Sequence, residues 1–158
     1  MRPATLILGF NIQRVGRGRS WLKAWALSHR EVALLRDRAL RMLGSGRRSL
    51  LDGDYDIAAF MADQAIQLYL KSVIFELTGE VPRVHAVRQL MLVLKDLLGN
   101  PNLVDDFVRE NRSLLIRLEE AYISSRYMPR KYDREEVEEL LDFAGKVIGF
   151  VKSIKGED

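Results

Sequence analysis

The sequence predicts an all-α fold, an antiparallel bundle of about five helices. Three observations carry that expectation. Apolar residues recur at helical spacing through most of residues 28–154, and no segment alternates apolar and polar residues as a half-buried strand does. The connections between helical segments are about two to seven residues long, which makes neighbouring helices antiparallel. At 158 residues the chain is long enough for a single domain that buries its own core.

Ser28-His-Arg-Glu31 has the S-x-x-E form of a capping box and opens the first predicted helix. Val32, Leu35, Ala39, Met42 and Leu43 follow at helical spacing. Gly44 and Gly46 weaken this helix by about 1 kcal/mol each relative to Ala; Leu50 and Leu51 carry it to residue 51. Asp52-Gly53-Asp54 reads as a turn ending in an N-cap.

The second helix, residues 54–78, is the best defined. Ala58, Met61, Ala62, Ala65, Ile66, Tyr69, Leu70, Val73, Ile74 and Leu77 make it apolar around most of its circumference, which puts it at the centre of the bundle. Its narrow polar stripe is Asp63, Gln67 and Lys71 at i, i+4 steps, with Gln64 beside them. Gly79 suits the C′ position.

A short connection, Val81 to His85, leads to a third helix over residues 86–98, which presents Val87, Leu90, Met91, Leu94 and Leu98 and ends at Gly99. Asn100-Pro101-Asn102 starts a fourth over residues 102–125, with a bend at Asn111. Asp133-Arg-Glu-Glu136 caps a fifth that runs to residue 154. Acids crowd its start at Glu135, Glu136, Glu138 and Glu139, while Lys146, Lys152 and Lys155 lie toward its end, so the charges complement the macrodipole. That explanation suffices for the acidic cluster, and no metal is assigned to it.

Composition removes several classes of function. There is no Cys, which excludes disulfides, thiolate metal sites and a Cys nucleophile. Two His residues make a His-rich metal site unexpected, and no cofactor is predicted. No apolar run approaches the roughly 18 residues that span a membrane, so no membrane association is expected and the protein is placed in the cytoplasm.

The net charge of +3 comes from one end. Residues 1–27 hold Arg2, Arg14, Arg17, Arg19 and Lys23 and no acid; the rest carries 20 basic against 22 acidic residues. A general nucleic-acid-binding surface does not follow from that balance, and any such site must be a local patch. For residues 1–27 three readings compete: a signal peptide, a basic arm that touches nucleic acid or membrane, and a poorly ordered extension. The last is preferred, because the well-patterned region begins at Ser28 and residues 28–158 form the bundle domain.

Possible chemistry concentrates in Tyr122-Ile-Ser-Ser-Arg126-Tyr127-Met-Pro129-Arg130-Lys131-Tyr132-Asp133, which holds three Tyr, two Arg and one Lys. Aromatic faces stack bases and guanidinium forks bind phosphate. Each candidate has a plainer alternative. Arg126 would satisfy C-terminal carbonyls of the fourth helix while Tyr127 packs in the core. Arg130, Lys131 and Tyr132 would form a solvated turn. His85 would be a cap or a packing residue, and Lys71 would pair with Asp63 or Gln67 neighbours or face solvent.

Several residue groups together resemble the HEPN domain (higher eukaryote and prokaryote nucleotide-binding). They are Gly53-Asp-Tyr55-Asp-Ile-Ala58 leading into Ala62-Asp-Gln64-Ala65 and Leu70-Lys71, then His85 at the start of the third helix, Ser125-Arg126-Tyr127 after the fourth, and a final amphipathic helix. The resemblance covers residues 30–154, about four fifths of the chain. It implies an up-and-down bundle that commonly forms homodimers and associates with nucleotides or RNA. It also implies a partner, a minimal nucleotidyltransferase, in pairs that often act as toxin–antitoxin systems.

Ribonuclease members of the family carry Arg, four to six residues, then His. Arg126 matches the Arg, but the window after it reads Tyr-Met-Pro-Arg-Lys-Tyr-Asp, and no His follows anywhere in the chain. Lys131 or Tyr132 stands where the His would fall. No catalytic residue is therefore assigned. The leading expectation is a binding module for a nucleotide, RNA or a nucleotidyltransferase partner. Its candidate contacts are Arg126, Tyr127, Arg130, Lys131, Tyr132, His85 and Lys71. The alternatives are a metal-independent ribonuclease with an atypical active site and a purely structural homodimer.

Overall fold

The computed structural model describes residues 19–157, with side chains from residue 28 onward. Among these residues six helices and no strand are present: α1 Arg19–Asp52, α2 Tyr55–Thr78, α3 Val87–Leu98, α4 Pro101–Glu110, α5 Arg112–Tyr127 and α6 Arg134–Lys155. The all-α bundle expected from the sequence is the observed fold. The readings made for residues 1–18 lie outside the described residues. None of the described helices is long and apolar enough to cross a membrane.

Two boundaries differ from expectation. α1 begins at Arg19, so Ser28 lies inside the helix and its S-x-x-E pattern caps nothing. Such a pattern is a start signal only where the chain upstream leaves helical geometry, and Leu22, Lys23, Ala24, Ala26 and Leu27 are good helix formers. The fourth predicted helix is two, α4 and α5, broken at Asn111. Asn111 is buried, donates from Nδ2 to the Phe107 carbonyl (2.8 Å) and accepts from Lys146 Nζ of α6 (2.9 Å). The Phe107 carbonyl accepts from both the Asn111 amide (3.1 Å) and its side chain, and the chain leaves helical geometry at Asn111 (φ −110°, ψ 18°), so the expected bend is a break.

The other ends follow their local signals. Gly53, Gly79, Gly99 and Gly156 all have positive φ, the conformation that stops a helix at lowest cost in a residue without Cβ. Asp133 caps α6 by accepting from the Glu136 amide (2.8 Å). Asp54 occupies the N-cap position of α2, but its side chain makes no capping hydrogen bond.

α2 is the central helix and packs against α1, α3, α5 and α6. Ala58, Ala59, Ala62 and Ala65 are fully buried and allow close approach, while Ile66, Tyr69, Leu70 and Val73 fill the core between the helices. Gly46 shows how tightly α1 docks: a Cβ there would lie 2.8 Å from Leu141 Cδ2 of α6 and 3.2 Å from Met61 Cβ of α2. The helix propensity lost at Gly46 is offset by this three-helix contact. Leu90, Met91 and Leu94 of α3, Leu115 and Leu118 of α5, and Leu140, Leu141 and Val147 of α6 complete the core.

Candidate functional site

α5 ends where its sequence requires. Pro129 disfavours helical geometry at the residue before it, and Met128 is extended (φ −108°, ψ 138°). Arg126 therefore stands in the last turn of α5, where a cation complements the macrodipole. Its Nε donates to the Tyr122 carbonyl (2.8 Å), as the plainer alternative expected. That bond uses one of five guanidinium donors.

The rest of the side chain is built for more. The guanidinium carbon lies 3.9 Å from the Tyr122 ring centroid, 4.8 Å from that of Tyr127 and 5.7 Å from that of Phe60 on α2. Three rings thus hold the fork from several sides. Its Nη groups make no hydrogen bond, and no carboxylate is in ion-pair range, among the described residues. Tyr127 is 71% exposed, so the expectation that it packs in the core fails. Of the three tyrosines of this segment, Tyr132, five residues on, is the buried one.

Facing α5 is the polar stripe of α2. Phe60, Asp63, Gln64, Gln67 and Lys71 share one side of that helix at steps of three and four residues. The Phe60 and Tyr122 rings are near parallel (15°) with centroids 6.4 Å apart, and the His85 ring is near parallel to Tyr122 (9°) at 6.3 Å. Lys71 Nζ is 3.3 Å from His85 Nδ1. An ammonium is only a donor, so this contact makes Nδ1 the acceptor and leaves the ring proton on Nε2. Burial lowers the Lys71 pKa from its ordinary value, against the opposing pull of Asp63. His85 caps nothing; Ala86 holds the N-cap position of α3.

A clamp from outside the candidate list fixes this geometry. Glu119 of α5 accepts from the Arg88 amide at the start of α3 (2.8 Å) and takes a forked pair from the Arg88 side chain (Nη2 to Oε2, 2.8 Å). One carboxylate caps α3 and binds it to α5. It holds His85, just upstream of α3, against Tyr122, one turn further along α5.

Beneath the cationic groups lies Asp63, 1% exposed. Its Oδ2 accepts from Gln67 Nε2 (2.5 Å) and Gln64 Nε2 (3.4 Å), and its Oδ1 has no partner. Burial pushes its carboxyl up to about 7. The Gln67 and Gln64 amides and Arg126 pull the other way, and Glu119 adds to the rise.

The remaining candidates stand apart. Arg130 pairs with Glu136 and lies over the Tyr132 ring at 4.6 Å. With Lys131, Tyr132, Gly53, Tyr55 and Asp56 it lines a pocket of about 280 Å³ by the start of α2. The structure therefore divides the predicted residues. Lys71, His85, Arg126 and Tyr127 meet between α2, α3 and α5, while Arg130, Lys131 and Tyr132 gather at the α1–α2 turn. Tyr122, Phe60 and Asp63 belong to the first group but were not singled out as contacts. The i, i+3, i+7 series Glu119, Tyr122, Arg126 was the signal for Tyr122, and the steps of three and four that link Phe60, Asp63, Gln67 and Lys71 were the signal for the other two. Among the described residues no group of three His, Cys, Asp or Glu side chains is placed to hold a metal.

A family model described as HEPN domain matches residues 32–154. The chain belongs to the HEPN domain family. No curated protein and no solved structure matches it. The match spans α2 to α5 whole, so the Lys71–His85–Arg126 cluster is part of the HEPN unit. Membership supports a nucleotide- or RNA-related role.

Proposed function

We propose that this HEPN domain binds a nucleotide or RNA strand between α2 and the end of α5. The Arg126 guanidinium carries the reading: it is positioned by three aromatic rings, keeps its Nη donors free, and has no acidic partner among the described residues. Such a fork takes a phosphate through two parallel hydrogen bonds. Lys71 adds a second positive charge, His85 Nε2–H a further donor, and exposed Tyr127 a face for a base. The test is binding of a short single-stranded oligoadenylate by the wild-type protein and Arg126→Ala. The variant should keep the wild-type melting temperature and lose binding; unchanged affinity would place the site elsewhere.

His85 favours a second reading, a metal-independent ribonuclease. No His follows Arg126 in the chain, yet the fold brings one to the same aromatic group from the α2–α3 connection. RNA cleavage in EDTA that His85→Ala abolishes would support it; an inactive wild-type protein would reject it. The expected protein partners are a second copy of the chain and a minimal nucleotidyltransferase of a toxin–antitoxin pair. The exposed Ile123, Tyr127 and Met128 beside the site offer the surface for one of them.

A further inference from the structure

The buried acid at the base of this cluster has no role in the reading above. A carboxyl group so deeply placed is normally saturated with hydrogen bonds or matched by a contacting cation. Asp63 has neither: one oxygen takes two glutamine amides, and the other takes nothing. The cations that act across the gap, Arg126 and Lys71, are the groups assigned to the ligand's phosphate.

We propose that Asp63 is the charge-compensating group of the site, negative against Arg126 and Lys71 when the site is empty and protonated from solvent when a phosphate occupies it. The inference rests on the phosphate-binding reading. An empty site leaves two cations whose field stabilises the carboxylate. A bound phosphate spends that field on itself and brings a second negative charge close to Asp63. Two anions in a poorly hydrated space raise each other's proton affinity, and the carboxyl is the one able to take up a proton.

The charged groups around the carboxyl can be named element by element. From α5, Glu119 and Arg126 act on Asp63, and Glu119 is tied to Arg88 of α3. From α2 itself come Lys71 and the two amides, and His85 of the α2–α3 connection contacts Lys71. No side chain of α1 or α6 makes a hydrogen bond or ion pair with the carboxyl among the described residues. The empty-site value of about 7 leaves room for an upward shift in the physiological range.

The sign follows from linkage. If the complex binds more protons than the free protein, affinity falls as pH rises, by at most about tenfold per pH unit for one proton. The experiment measures the affinity of a hydroxyl-ended oligoadenylate, whose phosphodiesters keep a constant charge, at pH 6 and pH 8. Wild-type protein should bind at least fivefold more tightly at pH 6. Asp63→Asn should bind at pH 8 about as tightly as wild type does at pH 6, and should have lost the slope. His85→Gln, which removes the imidazole in contact with Lys71, should weaken binding yet keep the slope. A slope that persists in Asp63→Asn, or vanishes in His85→Gln alone, overturns the inference and leaves the binding reading intact. No oligoadenylate binding by wild-type protein at either pH overturns both. Thermal unfolding of each variant at both pH values confirms that the folded proteins are being compared.

Discussion

Two charged clusters lie on α2, and they are organised in opposite ways. Near its C-terminal end, Glu76 is bonded to both Arg36 of α1 (2.7 Å) and Lys155 of α6, and Lys155 also holds Glu157 (2.6 Å). Every charge there has a contacting opposite, and the network ties three helices together. Burial alone would push the Glu76 pKa up, but the hydrogen bonds from Lys155 and Arg36 outweigh it and hold the carboxyl below its usual range. Toward the N-terminus lie Lys71 and Asp63, faced by Arg126 of α5; Arg126 and Lys71 touch no acid, and Asp63 is buried with one oxygen empty. The first cluster is complete in the free protein. The second leaves its cations without a contacting acid, and that incompleteness is the physical ground for proposing it, rather than the first, as the binding site.

The contrast can be broken from either side. The largest effect is expected at the complete cluster. Glu76→Leu leaves Arg36 and the nearly buried Lys155 with Glu157, the more exposed of their two shared anions, and should cost about 2–3 kcal/mol in denaturant unfolding at pH 7. A wild-type midpoint would show that the network contributes nothing. Because the Glu76 pKa is depressed, its contribution is present at neutral pH and lost as pH falls through the folded value. The gap between wild type and Glu76→Leu should therefore close in acid.

Removing charge at the incomplete cluster should act the other way. The Asp63 pKa is raised from 3.8 to about 7, so the folded protein keeps a proton that the unfolded chain releases across that window. Stability then declines as pH rises between the two values, and the full cost stands above pH 7. Asp63→Asn should be more stable than wild type at pH 8 by about 1–2 kcal/mol, less than full linkage allows because the new amide stays partly unpartnered. At pH 4 the difference should be near zero. A destabilised Asp63→Asn at pH 8 would mean that the carboxylate is matched by a contact after all.

Smaller effects mark the edge of the site. Arg126→Ala should change folding stability by no more than about 0.5 kcal/mol, since its guanidinium is exposed and unpaired, while oligoadenylate affinity drops at least tenfold, about 1.4 kcal/mol. Arg130→Ala removes an ion pair at the rim of the other pocket. It should shift stability by about 0.5 kcal/mol and oligoadenylate affinity by less than threefold. A loss of binding equal to that of Arg126→Ala would join the two pockets into one site.

Much of the fold was legible because the signals are local. α2 as the central helix follows from its nearly continuous apolar circumference, and the ends of α2 and α3 follow from Gly79 and Gly99. Local signals failed where two states share one sequence pattern. Ser28-x-x-Glu31 suits a cap and a helix interior equally, and only the helical chain upstream of it decides between them. Asn111 suits a bend and a break, and the side chain that stands at the break is bonded to Lys146, thirty-five residues away, a contact that no local pattern announces.

The site was legible in part for the same reason. Arg126, Lys71 and His85 were visible as isolated polar residues at helix ends or on an apolar helix. Grouping Arg126 with Arg130, Lys131 and Tyr132 followed from chain proximity, but Pro129 turns the chain away after α5 and sends those three residues to another pocket.

By itself the sequence determined that the protein is helical, where most helices stop, which face of each is buried, and which residue types were available for binding phosphate. These depend on periodicity and turn chemistry within a few residues. The tertiary structure decided which of those residues meet. The Glu119–Arg88 clamp sets α3 on α5 and thereby places His85 on Tyr122. The packing of α2 buries Asp63 beneath two cations with an oxygen unfilled. Burial and the distance between charges on different helices fix that state, and neither is a property of any short stretch of chain.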